Sequence, residues 1–257
     1  MTQARVILKS FNGIGDLLFV TPTLRMIKET YNDAVKIKIN TNHPGLVLHN
    51  PFVDEVGQEN DGLFLAYPDP IHLKQPTQHH ILTDWELVCS NFNLTTPVPK
   101  LLPELFTKRK PKCKDVGVQV LMTGKYGGKK DWPHAQELVN RTGWEAIPRF
   151  RSVIDLAEHL SSYRIVICPE GGIMHMATAL GIPCVAIFGG FIHPAWTGYQ
   201  QNINLSCRLD CSDDCYNHHP CKNRFKHICW ESIAVGDVIS AARILFERTY
   251  GSSIRFE

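Results

Sequence analysis

No apolar run in the sequence approaches the ~20 residues that a helix needs to cross a bilayer. The longest in the C-terminal half, around Gly181 to Phe191, is interrupted by glycine and proline. The N-terminus also lacks the apolar core and small-residue cleavage site of a signal peptide, because Arg5-Val-Ile-Leu8 runs straight into a glycine turn. These absences predict a chain without an integral membrane segment, working in the cytoplasm. Charge of one sign is missing too: 27 Lys+Arg against 25 Asp+Glu leave a formal +2. That is no footprint for duplex nucleic acid or an anionic membrane, so nucleic acid is an unlikely partner. The 18 glycines and 16 prolines are scattered without a repeat, which excludes collagen-like, coiled-coil and low-complexity chains. What is present is 257 residues, 44% of them hydrophobic, enough for one large or two small packed domains.

The opening reads as strand, tight turn and helix. Val6-Ile-Leu8 is apolar and β-branched, Asn12-Gly-Ile-Gly15 is turn chemistry, and Leu17, Leu18, Leu24 and Ile27 recur with helical spacing up to Thr30. A second strand is expected at Val35 to Ile39, a short helix before Asn50-Pro51, and a third extended piece at Val53 to Val56. From Gly57 to Pro103 the prolines and the lack of sustained periodicity predict loops and short elements.

The basic, proline-broken run 108–114 is the best boundary between domains. After it, strands at 116–121, Ile165 to Cys168 and Val185 to Phe188 alternate with helices at Pro133 to Arg141, Val153 to Leu160 and Gly172 to Leu180. A terminal helix runs from Val235 to Arg248. Strands alternating with helices imply an α/β protein with parallel sheets. Two doubly wound domains, 1–108 and 109–257, would leave a cleft at the carboxyl ends of their strands.

Three turns could hold a ligand there. Gly13, Gly15 and Asp16 lie between a strand and a helix, where free N–H groups favour anions. The spacing is neither a full G-x-G-x-x-G nor a Walker sequence, and Leu18 stands where a third glycine would fall. Asp16 reads either as the N-cap of the helix or as a general base toward a hydroxyl. In the second turn, Gly171 and Gly172 could expose backbone donors to a diphosphate, while Glu170 would repel phosphate and fits beside sugar hydroxyls. His175 reads as a phosphate contact or as packing against the sheet; Met174 and Met176 read as core. In the third, Gly127-Gly-Lys-Lys-Asp-Trp-Pro133, Lys129 and Lys130 could neutralise a diphosphate or form a solvated loop.

Together, GIGDLLFVTPTLRMIK at 13–28, NPFVDEV at 50–56, GGKKDWP at 127–133 and PEGGIMHMATALGIPCVAIFGG at 169–190 resemble glycosyltransferase family nine, the ADP-heptose:lipopolysaccharide heptosyltransferase family. The resemblance implies a GT-B fold: two Rossmann-like, doubly wound domains facing a cleft, the first on the acceptor side and the second binding the nucleotide-sugar. It implies an inverting, metal-independent transfer of a heptose or hexose from a nucleotide-diphosphate donor, ADP-heptose foremost, to a hydroxyl of a glycan or protein acceptor. By position Asp16 resembles the family's base, Lys130 the lysine that offsets donor phosphate charge, and Gly171, Gly172 and His175 the phosphate cradle. Glu170 stands where many members carry Asp in an Asp-Ser/Thr-Gly motif. Both the region after Pro51 and the stretch between Trp132 and Val153 are abbreviated relative to the family. The lipopolysaccharide acceptor is therefore not carried over, and a phage-type or protein-modifying branch is as plausible. Two alternatives stay open: a nucleotide-sugar-binding scaffold without turnover, and a transferase acting on modified DNA bases.

In the cytoplasm nine cysteines read as thiols or metal ligands ahead of disulfides, and five of them crowd into 207–229. Cys207, Cys211, Cys215, Cys221 and Cys229 are separated by three, three, five and seven residues, with His218, His219 and His227 between them. Four soft ligands can close a tetrahedral zinc or iron site. Cys207, Cys211, Cys215 and Cys221 are the first choice, with Cys229 as substitute, and reduced structural thiols or disulfides are the alternatives. Some protein-modifying heptosyltransferases are similar in carrying a cysteine-bound iron near the C-terminus.

Overall fold

The computed structural model describes residues 4–10, 13–65, 78–121, 130–190, 192–212, 221 and 227–254. Within them the chain builds two parallel sheets. Strands β1 (Ala4–Ser10), β2 (Val35–Thr41), β3 (Glu55–Gly57) and β4 (Leu63–Phe64) form the first, in the order β3-β2-β1-β4. The second holds β5 (Lys114–Val118), β6 (Glu145–Ala146), β7 (Tyr163–Pro169), β8 (Cys184–Phe188) and β9 (Ile203–Ser206), ordered β6-β5-β7-β8-β9. Every strand pair is parallel, with Leu8 opposite Ile39 in the first sheet and Ile167 opposite Val185 in the second. Central strands of such sheets are covered on both faces, so they are apolar throughout rather than alternating; all five residues of β8 are buried.

The helices are α1 (Ile14–Tyr31), α2 (His80–Phe92), α3 (Ala135–Thr142), α4 (Val153–Leu160), α5 (Gly172–Ala179), the short α6 (Pro194–Thr197) and α7 (Ile228–Glu231), and α8 (Val235–Tyr250). Pro22 lies inside α1 and has no N–H for the carbonyl of Leu18. The Thr21 hydroxyl supplies the missing donor at 2.7 Å, and in turn accepts from the N–H of Glu104 at 2.8 Å. The long segment after β4 is thereby tied back onto α1.

Helix α1 packs against α2 on one side and α5 on the other. A single apolar core runs from the first sheet through Leu17, Phe19 and Leu24 of α1 to Met174 and Met176 of α5 and the inner face of β7 and β8. A second core, with Val238, Leu245 and Phe246 of α8 and Leu138 of α3, covers the other face of the second sheet. No helix among the described residues is long and apolar enough to cross a membrane.

The α/β class, the parallel sheets and the order of the main elements agree with the sequence. The differences are α2, which falls where loops were expected, the added strands β4, β6 and β9, and a short 3-10 turn at Pro44–Leu46 in place of the helix before Asn50.

Candidate functional site

Ligands of parallel sheets bind beyond the carboxyl ends of the strands, and here the turns after β1 and β7 meet at that edge. Gly13 is the N-cap of α1, and the Oδ2 of Asp16 accepts its backbone N–H at 2.7 Å. Asp16 therefore sits at the third helical position and reaches back to the cap. It is not itself the N-cap, because only a carboxylate one turn inside can bend back to that N–H. The turn after β7 places Gly171 at φ 155°, ψ −165°, a region open only to glycine. A side chain on Gly172 would sit 3.2 Å from Cβ of Ile14, and one on Gly15 would strike the ring of His175. The starts of α1 and α5 abut, and the glycines are what lets them do so.

Around that junction the polar side chains are buried and connected. Lys130 forms an ion pair with Glu170, their side chains 7% and 3% exposed. His175 lies with Nε2 3.5 Å from Glu170 Oε1 and Nδ1 2.8 Å from the hydroxyl of Tyr199. Burial alone would raise the Glu170 carboxyl; the charge of Lys130 and the hydrogen bond from His175 outweigh it and hold the group at about 2. Glu170 is thus an anion neutralised by its own lysine. Two residues on, Trp132 donates its indole N–H to the carbonyl of Ile233 at 2.9 Å. Lys130, Glu170, Phe188, Gly189, Ile192 and Trp230 line one recess. Trp230 lies flat on Gly189, where any side chain would collide with its indole.

On the α2 side, the rings of His80 and His175 pack on Phe19 with centroids 4.5 and 4.6 Å away, and His79 leans on Tyr199 at 5.3 Å. Burial lowers His79 to about 4 and His80 to about 3, helped by neighbouring imidazoles. Asp84, with His80 Nε2 at 3.7 Å, is raised well above the usual range by burial and then by the charge of Asp16. Two imidazoles held neutral and a carboxyl pushed toward its protonated form are costly to keep in a core, and residues that break the local rules of a core concentrate at functional sites.

Of the residues singled out in the sequence, Gly13, Gly15, Asp16, Lys130, Glu170, Gly171, Gly172 and His175 converge on this junction. Met174 and Met176 are core, as expected. His175 both packs and hydrogen-bonds, so the two readings of it were not exclusive. Lys129 and Cys215 lie outside the described residues, as do His218 and His219. Tyr199, His79, His80, Asp84 and Trp230 were not anticipated; the paired histidines ahead of an apolar run were the one visible signal for α2.

In the cysteine segment, the Cys229 thiol is pushed up by burial and also feels Cys221 and Cys211, while the Gly190 backbone offsets this in part. Among the described residues no three His, Cys, Asp or Glu side chains are grouped so as to hold a metal ion.

The fold is similar to those of known glycosyltransferases. Residues 149–226 match the family model of glycosyltransferase family 9 (heptosyltransferase). The structure is similar to the family 9 glycosyl transferase from Veillonella parvula, with a TM-score of 0.69 at 13% identity over 96% of this chain and 98% of that one. It is similar also to the iron-containing dodecameric glycosyltransferase TibC from enterotoxigenic E. coli, with a TM-score of 0.67 at 13% identity over 96% and 77% of the two chains. For E. coli heptosyltransferase WaaC with ADP-2-deoxy-2-fluoro heptose the TM-score is 0.58, at 13% identity over 91% and 97%. No curated protein matches the chain significantly in sequence.

Proposed function

We propose that the chain is a glycosyltransferase of the family-nine type, the family whose model residues 149–226 match, and that it transfers a heptose or hexose, with inversion, from a nucleotide-diphosphate donor to a hydroxyl of a glycan or protein. ADP-heptose is the first donor to test, since WaaC is described with an ADP-heptose analogue. The observation that carries the reading is the meeting of two helix N-termini, α1 and α5, beside one buried lysine. Each N-terminus presents unsatisfied N–H groups and the positive end of a helix dipole, so their junction suits a diphosphate.

In this reading residues 1–108 present the acceptor and 109–257 hold the donor across a GT-B cleft. Asp16 takes the proton of the acceptor hydroxyl as its oxygen attacks the anomeric carbon; the bond from that carbon to the diphosphate oxygen breaks, and the nucleoside diphosphate leaves with the electron pair. Gly171, Gly172, His175 and Lys130 meet the leaving diphosphate, with Lys129 beside them, and Glu170 faces the sugar hydroxyls. Lys130 is already paired with Glu170. Its charge therefore serves the diphosphate through a shared, fixed position rather than as a free cation, which is the electrostatic preorganisation that transition states reward.

A structural zinc or iron in the cysteine segment belongs to the same proposal. Cys207, Cys211, Cys215 and Cys221 remain the ligand set, and the position of Cys229 near Cys211 and Cys221 favours it as the substitute. Such a metal would staple a loop that carries no core of its own and would take no step in the transfer. Incubating the protein with ADP-heptose and following release of ADP tests the main reading: turnover lost in Asp16→Asn supports it. A nucleotide-sugar that binds without turnover in the wild type would favour the scaffold, to which the burial of Asp16 gives some support.

A further inference from the structure

Tyr199 contacts His175 from the turn between α6 and β9, and that turn is firmly held. Its carbonyl accepts from the N–H of Asn202 at 3.1 Å, and the Asn202 side chain bonds both Cys184 N at 2.9 Å and Thr178 Oγ1 at 3.2 Å. The Tyr199 hydroxyl is thus fixed relative to both α5 and β8. His175 is fixed from the other sides by Phe19, by the backbone of Gly15 and by Glu170.

A neutral imidazole has one N–H and one lone pair, and the surroundings of His175 decide which nitrogen carries which. Nε2 faces a carboxylate oxygen that can only accept, so the hydrogen belongs on Nε2. Nδ1 then holds the lone pair, and the hydroxyl of Tyr199 donates to it at 2.8 Å. We infer that Tyr199 is a positioning residue that locks His175 in the Nε2–H tautomer by occupying Nδ1 with its own hydrogen. This inference deepens the proposed role of the 170–175 turn as the diphosphate site, and rests on it. Its consequence is an N–H donor fixed toward Glu170, beside the Lys130–Glu170 pair.

Without the hydroxyl nothing on the Tyr199 side holds the lone pair on Nδ1, and the N–H can move to that nitrogen, away from Glu170. Tyr199 itself is raised well above its ordinary range by burial and by the charge of Glu170.

The test is nitrogen NMR of histidine-labelled protein, with the His175 signals assigned by their loss in His175→Gln and by through-space contacts to Tyr199. The wild type is expected to show a protonated Nε2 and an unprotonated Nδ1, whereas Tyr199→Phe should show the N–H shared between the two nitrogens. A wild-type ring protonated on Nδ1 overturns the inference even if the variant does not fold. Calorimetry with ADP supplies the second readout. Tyr199→Phe should bind ADP more weakly than wild type, on the order of threefold, and equal affinity counts against Tyr199. If ADP binds neither protein, the diphosphate reading fails and the tautomer result still decides the role of Tyr199.

Discussion

The imidazole of His175 occupies the space that a side chain at position 15 would need: a Cβ there would lie 3.0 Å from its Nε2 and closer still to Cδ2. One glycine in the first βα turn is therefore the seat for a histidine of the second, and the two turns work as a single surface. Gly15→Ala should displace the ring, cost about 1–3 kcal/mol of stability through overpacking and lower donor affinity. In His175→Ala the same substitution should be nearly neutral. Denaturant unfolding of the two single variants and the double variant measures this coupling.

Lys130 and Glu170 are buried together, so removing one leaves the other uncompensated. Lys130→Ala should destabilise the protein by about 3–5 kcal/mol. Pairing Lys130→Met with Glu170→Gln should restore most of that stability while leaving donor binding impaired. Recovery of binding along with stability in the double variant would show that the ion pair serves the fold alone.

Acid should unfold the protein early. His79 and His80 accept protons near 6.5 when unfolded but only near 4 and 3 when folded. Their neutral burial thus contributes stability that is lost as pH falls below about 6.5. Asp84 acts in the opposite direction: its folded carboxyl keeps its proton where the unfolded one is ionised, so its share is lost as pH rises. Each proton taken up on unfolding is worth roughly 1.4 kcal/mol per pH unit. Asp84→Asn should stabilise the protein at pH 7 and, with the opposing share gone, steepen the loss of stability on the acid side. Urea unfolding between pH 4.5 and 7.5 reads both slopes.

Chelation should lower the melting temperature if the cysteine segment holds a metal. Elemental analysis of protein purified without added metal should find one zinc or iron per chain, diminished in Cys211→Ser. A melting curve unchanged by a strong chelator, with no metal found, would leave reduced thiols as the description of the segment.

The helical and strand periods of the sequence carried the chain order of the main elements, because buried parallel strands such as Cys184–Phe188 are unbroken apolar runs. Helix α2 escaped for a specific reason. Its buried positions are His80, Ile81, Asp84 and Val88, a helical spacing in which half of the inward residues are polar, so hydrophobic periodicity does not register it. Strand β9, Ile203–Ser206, is half polar, and β4 and β6 span two residues each. At the site, glycine turns and acidic residues were legible locally, and so was their match to a family. The pairing of Lys130 with Glu170 and of His175 with Tyr199 was not, because each joins residues 40 and 24 positions apart through the tertiary fold.

The central claim is that both glycine turns serve one donor. Calorimetric titration of ADP, UDP and GDP, each with and without its sugar, into the wild type and Asp16→Ala addresses it most directly. The account predicts base-selective binding that survives Asp16→Ala while sugar transfer is lost. No binding of any of these nucleotides at millimolar concentration would contradict it.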